Sequence, residues 1–480
     1  MVFSSLPFLL GFMPVFFIVY YLMPDNRKNE ALFAGSVVFY GVGTWERPWY
    51  LLLLLVSMTV NIRLGQAIAA DREGKMRLLS RRRQGKRKKR LLYLGIFWNF
   101  GILFGFKYLG FLCENLNRLL PEHLAVLPVV RPVLPPGISF FTFQVVSYLA
   151  DLYRGAPYDT GAVLPVATYL FMFPQLIAGP IITYKEVEGA LKKRRHRMSQ
   201  LDRGLREFCI GLGLKVLLAN RIGNLWRETG AIGYESISTP LAWMAIAAFS
   251  FQLYFDFYGY SLMARGLGFM LGMKLPENFQ YPYTSVSMTE FWRRWHQTLG
   301  QWFRDYVYIP LGGSRNGRVR TFYNLLIVWL LTGIWHGAGW NFLLWGLLLF
   351  GLISLEKLGL KEKLEKNRFI GHAYMLFVIP LTWVVFAVSD VGQIAVYFCR
   401  LFGITPGGGA ARFGQDYIKY GKKYGLLLLV CLLFCTPLPR KLYRRYAHTW
   451  AAALGLLAVF WVSVYCLYIG LNDPFLYGQF

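Results

Sequence analysis

Apolar runs long enough to cross a bilayer recur from one end of this chain to the other. A spanning helix needs ~20 consecutive, mainly apolar residues. Candidates lie near 6–23, 31–45, 49–69, 91–112, 163–183, 205–220, 241–272, 321–335, 339–355, 371–399, 424–438 and 450–471, and 241–272 is long enough for two helices. Between them no stretch is long and polar enough to build a soluble core of its own. The chain therefore reads as a single integral-membrane domain over 1–480. Its expected fold is an all-α polytopic bundle of roughly 10–13 transmembrane helices, because only helices or closed barrels satisfy the backbone in lipid. The first apolar run lacks a basic flank and a small-residue cleavage site, so it reads as a retained helix.

A formal net charge of +27 could suggest nucleic acid, but the positions of the charges argue otherwise. Lys75, Arg77, Arg81, Arg82, Arg83, Lys86, Arg87, Lys88, Lys89 and Arg90 crowd one loop between two spans. That is the positive-inside pattern, which places the loop in the cytoplasm. No stacking platform or nucleic-acid motif accompanies it. A second cluster, Lys192, Lys193, Arg194, Arg195 and Arg197, belongs on the same side. An even number of crossings must separate the two clusters. The spans at 91–112 and 163–183 supply two, so 134–150, which opens Pro135-Pro136-Gly137, is expected to be re-entrant or interfacial.

Within this background, two imidazoles stand out. His336 sits in the Trp-rich run Leu325–Asn341, flanked by Gly333, Gly337 and Gly339. An ionisable ring at membrane depth is a functional candidate by default, although some such rings only bridge helices through hydrogen bonds. The glycines leave room for another backbone or a narrow substrate. His296 lies in 288–315, a polar and aromatic stretch that reads as one amphipathic interfacial helix, with Trp292, His296, Leu299 and Phe303 on its apolar face. Arg293, Arg294 and Arg304 nearby would suit phosphates, and they equally mark a cytoplasmic loop. The six cysteines, including Cys431 and Cys435 at i,i+4 spacing, lack neighbouring ligands and read as small buried hydrophobes, with no metal site. No G-x-S-x-G elbow, Walker A loop or H-E-x-x-H occurs, and no internal repeat of the transporter kind is evident.

The run Phe291-Trp292-Arg293-Arg294-Trp295-His296, followed by Arg304-Asp305-Tyr306 and Tyr308-Ile309-Pro310-Leu311-Gly312-Gly313, resembles the membrane-bound O-acyltransferases. It is most similar to their bacterial alginate O-acetyltransferase branch. Gly333-Ile334-Trp335-His336-Gly337-Ala338 looks like that family's histidine motif. The stretches 136–144 and 173–180, the opening 1–5 and the closing 472–480 agree with the branch as well, so the resemblance covers nearly the whole chain. One departure is visible in Asp256-Phe257-Tyr258-Gly259-Tyr260-Ser261-Leu262-Met263-Ala264, where the branch usually carries a second acid at the place of Leu262.

The resemblance implies a helical bundle around a central tunnel, with His336 catalytic and His296 the second histidine on the cytoplasmic side. It implies acyl transfer from a cytoplasmic thioester, acetyl-CoA, with no bound cofactor. The acceptor would be an extracytoplasmic polysaccharide, reached with the help of an extracytoplasmic partner protein, in a bacterial cytoplasmic membrane. An imidazole base on the incoming hydroxyl supplies ~10²–10⁴ in rate, and the indole N–H of Trp335 or Trp340, or a backbone amide, could serve the oxyanion. Two other readings stay open. One is D-alanyl or other acyl transfer to a cell-wall polymer from a carrier-protein thioester; the other is a transporter without chemistry.

Overall fold

The computed structural model describes residues 1–70, 81–121, 126–404 and 413–470. Every regular element among them is helical, so the all-α expectation holds. The backbone divides into two compact units, residues 1–205 with 264–276, and residues 206–263 with 277–480.

The first unit holds α1 (Met13–Leu22), α2 (Lys28–Gly43), α3 (Trp49–Ala70), α4 (Arg81–Lys107), α5 (Leu109–Leu119), α6 (Ile138–Tyr153), α7 (Val163–Phe171), α8 (Phe173–Leu176) and α9 (Tyr184–Lys192). It also holds the beginning of α10 (Met198–Gly213). The expected basic loop is only partly a loop, since Arg81 to Arg90 are the opening turns of α4; Lys75 and Arg77 fall outside the described residues. Helices α3 and α4 are joined by a reciprocal amide pair, Asn61 Nδ2 to Asn99 Oδ1 at 3.0 Å and Asn99 Nδ2 to Asn61 Oδ1 at 2.8 Å. Both asparagines are buried, and a buried amide must be hydrogen-bonded to avoid a penalty.

The segment expected to be re-entrant or interfacial, 134–150, leads after the turn at Gly137 into one unbroken helix, α6, with thirteen of its sixteen residues buried, and α6 runs beside α3 from end to end. Tyr50, at the start of α3, donates to Val133 O before α6. Gln66, near the end of α3, donates to Thr160 O after α6 at 3.0 Å. The broken stretch is 163–183 instead. There α7 stops at Phe171, α8 lasts a single turn, and the chain turns back at Gly179-Pro180 before α9. Pro174 has no N–H to give and would kink or break a longer helix; here it stands in the first turn of α8, where that donor is not missed. Its contacts trace an entry and a return. Thr168 and Leu191, on either side of the break, both bond Asn29 at the start of α2, while Phe173 between them bonds Ser36 two turns deeper.

The second unit continues α10 through a π-helical turn, Leu214–Ala219, into α11 (Asn220–Ile232), then α12 (Thr239–Met270), whose last turns belong to the first unit. The 241–272 run is thus one helix. Then follow α13 (Met288–Arg294), α14 (Gln297–Phe303), α15 (Gly317–His336), α16 (Trp340–Leu355), α17 (Lys361–Lys366), α18 (Arg368–Ala387), α19 (Val391–Leu401), α20 (Asp416–Phe434), α21 (Leu438–Tyr446) and α22 (Trp450–Tyr468). A Cβ on Gly211 would lie 2.5 Å from Gly259 O, so α10 and α12 touch backbone to backbone. Beside this contact Lys215 and Asp256 form an ion pair of 2.6 Å, both fully buried.

By length and composition, five helices can cross a membrane: Trp49–Ala70, Met198–Ile232, Trp340–Lys366, Arg368–Ala387 and Trp450–Tyr468. Two bent pairs, α4 with α5 at 62° and α20 with α21 at 72°, raise the number to seven among the described residues. Most of the remaining expected spans are helical too, but they are shorter or more polar than that test allows. The chain is a multi-pass membrane protein.

Candidate active site

Both histidines singled out in the sequence lie in the second unit, and the structure brings both beside one indole. Trp335 has its ring centroid 4.8 Å from that of His336 and 6.2 Å from that of His296. Both imidazoles are buried, at 4% and 2% exposure.

His336 is the last residue of α15, and Gly337 to Gly339 turn the chain into α16. The glycines serve a close backbone approach. A Cβ on Gly333 would sit 2.4 Å from Phe342 O, and one on Gly346 would sit 2.5 Å from Trp329 O. Any side chain at either position would force the two helices apart and carry His336 with them. Around the ring stand Trp345 at 5.1 Å and Phe386 at 5.3 Å, both nearly perpendicular to it. Trp292 and Trp383 lie beyond Trp345. The indole N–H groups of Trp292, Trp345 and Trp383 have no acceptor among the described residues. Of the two indoles expected to serve an oxyanion, Trp335 is buried beside both histidines, whereas Trp340 is half exposed.

At His296 the single amphipathic helix expected over 288–315 does not form. Helix α13 ends at Arg294, His296 takes a left-handed backbone (φ 43°, ψ 53°), and α14 starts at Gln297. Trp292 and His296 therefore do not share a face of one helix. A non-glycine residue in this region costs ~1–3 kcal/mol and persists only where its surroundings dictate it. Here they do. The backbone carbonyl of Asn278 accepts from Gln297 N at 3.0 Å. Its side-chain Oδ1 faces Thr298 N at 3.2 Å, Thr298 Oγ1 at 3.0 Å and His296 Nδ1 at 3.1 Å. A backbone N–H can only donate, so the atom facing it must be the amide oxygen. His296 Nδ1 then carries the proton, and Nε2 is the acceptor nitrogen. Burial pushes the His296 pKa down to about 3, which keeps the ring neutral at ordinary pH.

The entry to α13 is fixed by Glu356, a buried carboxylate accepting from Met288 N at 2.6 Å, Thr289 N at 2.8 Å and Thr289 Oγ1 at 2.6 Å. Negative charge at a helix start is favourable, and α13 carries Trp292. The arginines expected near phosphates are differently placed. Arg294 bonds Thr284 and Glu290, Arg304 is paired in bidentate fashion with Asp305, and Arg293 is exposed. Sequence reasoning missed Asn278 and Glu356. Asn278 lies eighteen residues before His296 and Glu356 sixty-seven after Thr289, so no local spacing reveals either. Among the described residues no three His, Cys, Asp or Glu side chains converge as a metal site would require. All six cysteines are free thiols, with Cys431, Cys435 and Cys466 buried.

A multi-pass chain, helical throughout its described residues and holding two buried imidazoles beside one indole, has the character of a polytopic membrane enzyme, and comparison with known proteins gives the family. The model of the membrane-bound O-acyltransferase family matches residues 134–361, which include both histidines and Asn278. The probable alginate O-acetylase AlgI of Pseudomonas putida is 35% identical over 84% of this chain and 80% of its own. The peptidoglycan O-acetyltransferase of Helicobacter pylori is 30% identical over 100% of this chain and 98% of its own. The teichoic acid D-alanyltransferase of Bacillus subtilis is 29% identical over 42% and 53%. This chain belongs to the membrane-bound O-acyltransferase family and is an O-acyltransferase.

Proposed function

We propose that the enzyme takes an acetyl group from acetyl-CoA on the cytoplasmic side of a bacterial cytoplasmic membrane and delivers it for O-acetylation of an extracytoplasmic polysaccharide or cell-wall polymer. An extracytoplasmic partner protein completes the transfer. The observation that carries this reading is that His336 and His296, both buried, each lie against the ring of Trp335. Likeness to alginate and peptidoglycan O-acetylating proteins over most of the chain supports the acetyl group and a polymer acceptor.

A thioester is already activated, so transfer to a hydroxyl chiefly needs a base. His336 takes the hydroxyl proton as the oxygen attacks the carbonyl carbon. The C–O bond forms, the C–S bond breaks, and the leaving thiolate takes the proton back from His336. His296, held neutral, serves through Nε2 as an acceptor that orients a hydroxyl or thiol.

The test is thiol release and acetyl transfer from acetyl-CoA by protein in proteoliposomes. His336→Gln and His336→Ala should both abolish turnover with the protein still inserted, because an amide cannot accept a proton near neutral pH. Near-wild-type turnover in His336→Gln would remove His336 as the base. The D-alanyltransferase likeness favours a second reading: turnover of a carrier-protein thioester and not of acetyl-CoA would put D-alanyl transfer in place of acetyl transfer.

A further inference from the structure

The acyl carbon that accepts a hydroxyl briefly carries its carbonyl electrons on oxygen, and that oxyanion needs donors fixed before it forms. His296 cannot supply one through Nε2, because its proton sits on Nδ1 facing Asn278. Asn278 itself can. Three donors hold its Oδ1 (Thr298 N, Thr298 Oγ1 and His296 Nδ1), so the amide cannot flip. Its Nδ2 is thereby fixed in direction, at 2% exposure of the residue, with no acceptor among the described residues. A buried amide N–H left without an acceptor is destabilising by about 1–3 kcal/mol, and such groups are uncommon enough to call for a functional account. The three unbonded indoles near His336 are donors as well, but no hydrogen bond fixes their direction.

We infer that Asn278 is a catalytic residue whose Nδ2 donates to the carbonyl oxygen of the acyl thioester as charge develops there. The inference rests on the acyl-transfer reading above. As the hydroxyl oxygen bonds the carbonyl carbon, the π pair moves onto oxygen and is held by Nδ2. It returns as the C–S bond breaks, and the thiolate leaves with the proton from His336. Asn278 thus has two ends with two tasks: Oδ1 fixes His296, and Nδ2 meets the substrate.

Asn278→Asp separates the tasks, since a carboxylate keeps the acceptor for His296 and Thr298 and removes both donors. Turnover of acetyl-CoA, read as thiol release from proteoliposomes between pH 6 and 9, should fall about 10²–10³-fold in kcat, the range for one oxyanion donor, with KM little changed. Asn278→Ala should fall at least as far. Wild-type kcat in Asn278→Asp would reduce Asn278 to a clamp and overturn the inference. So would a loss confined to KM, or one that disappears at either end of the pH range, where a new charge beside His296 would account for it. Should Asn278→Ala fail to insert, Asn278→Asp alone decides. The wild type and His336→Ala in the same assay keep the claims apart: no turnover of acetyl-CoA by the wild type would sink the donor reading, and full turnover in His336→Ala would remove His336 as the base, whatever Asn278 does.

Discussion

His296 carries two costs at once, a left-handed backbone and a buried ring, and the second can be read out by pH. Its pKa is held at about 3 by burial, against ~6.5 in an unfolded chain. Between those values the unfolded chain binds a proton that the folded one does not. Stability therefore rises with pH across that window and falls as pH drops below 6.5, by up to ~1.4 kcal/mol per unit. From pH 7 to pH 5 the contribution of this one ring is about 2 kcal/mol. Thermal melts of the purified protein in detergent should show a steeper loss toward pH 5 in the wild type than in His296→Asn, which has no proton to gain. Identical pH slopes for the two would mean that the ring is hydrated or already protonated in the fold. Nothing in the local sequence announces the backbone conformation, since neither Gly nor Pro stands at 295–297. The break is imposed by Asn278 from outside the segment, and helical periodicity reads straight through it.

Among the elements, those legible in the sequence are the ones whose cause is local. The hairpin of α15 and α16 follows from two apolar runs joined at Gly337 to Gly339, and the close approach expected of Gly333 is met by the backbone of Phe342. The break in 163–183 had its signal in Pro174 and Gly179-Pro180, which the apolar composition outweighed. The ion pair of Lys215 with Asp256 had none, because the partners are forty-one residues apart and Lys215 interrupts an apolar run. It sits where α10 passes through a π turn, a feature that often marks functional sites. A buried pair need not add stability, but removing one partner strands a charge at a cost of about 3–5 kcal/mol. Lys215→Met and Asp256→Leu should each lower the melting temperature and the inserted yield sharply, and the double variant should recover much of both. A double variant as unstable as either single one would show that the pair is not what holds α10 to α12.

On the scale of the whole molecule, the charge pattern and the contacts of the first unit leave two paths through the membrane that experiment can tell apart. The basic clusters at 81–90 and 192–197 are expected on the cytoplasmic side, which requires an even number of crossings between them. In one path those crossings are α4 and α6, since α6 runs from the Tyr50 end of α3 to the Gln66 end. The broken stretch from α7 to α9 then enters and leaves on the same side, with Thr168 and Leu191 both at Asn29. The two topologies differ at one place, the turn after α6. With α6 as a crossing, Asp159 lies in the cytoplasm; with α6 re-entrant and 163–183 crossing, it lies outside. Single cysteines at Gln84, Val129, Asp159 and Arg197, in a background lacking the six native cysteines, can be probed in intact cells with a membrane-impermeant maleimide. Val129 should label from outside, and the other three only after the cells are opened. External labelling at Asp159 would return the crossing to 163–183, and external labelling at Gln84 or Arg197 would overturn the orientation itself.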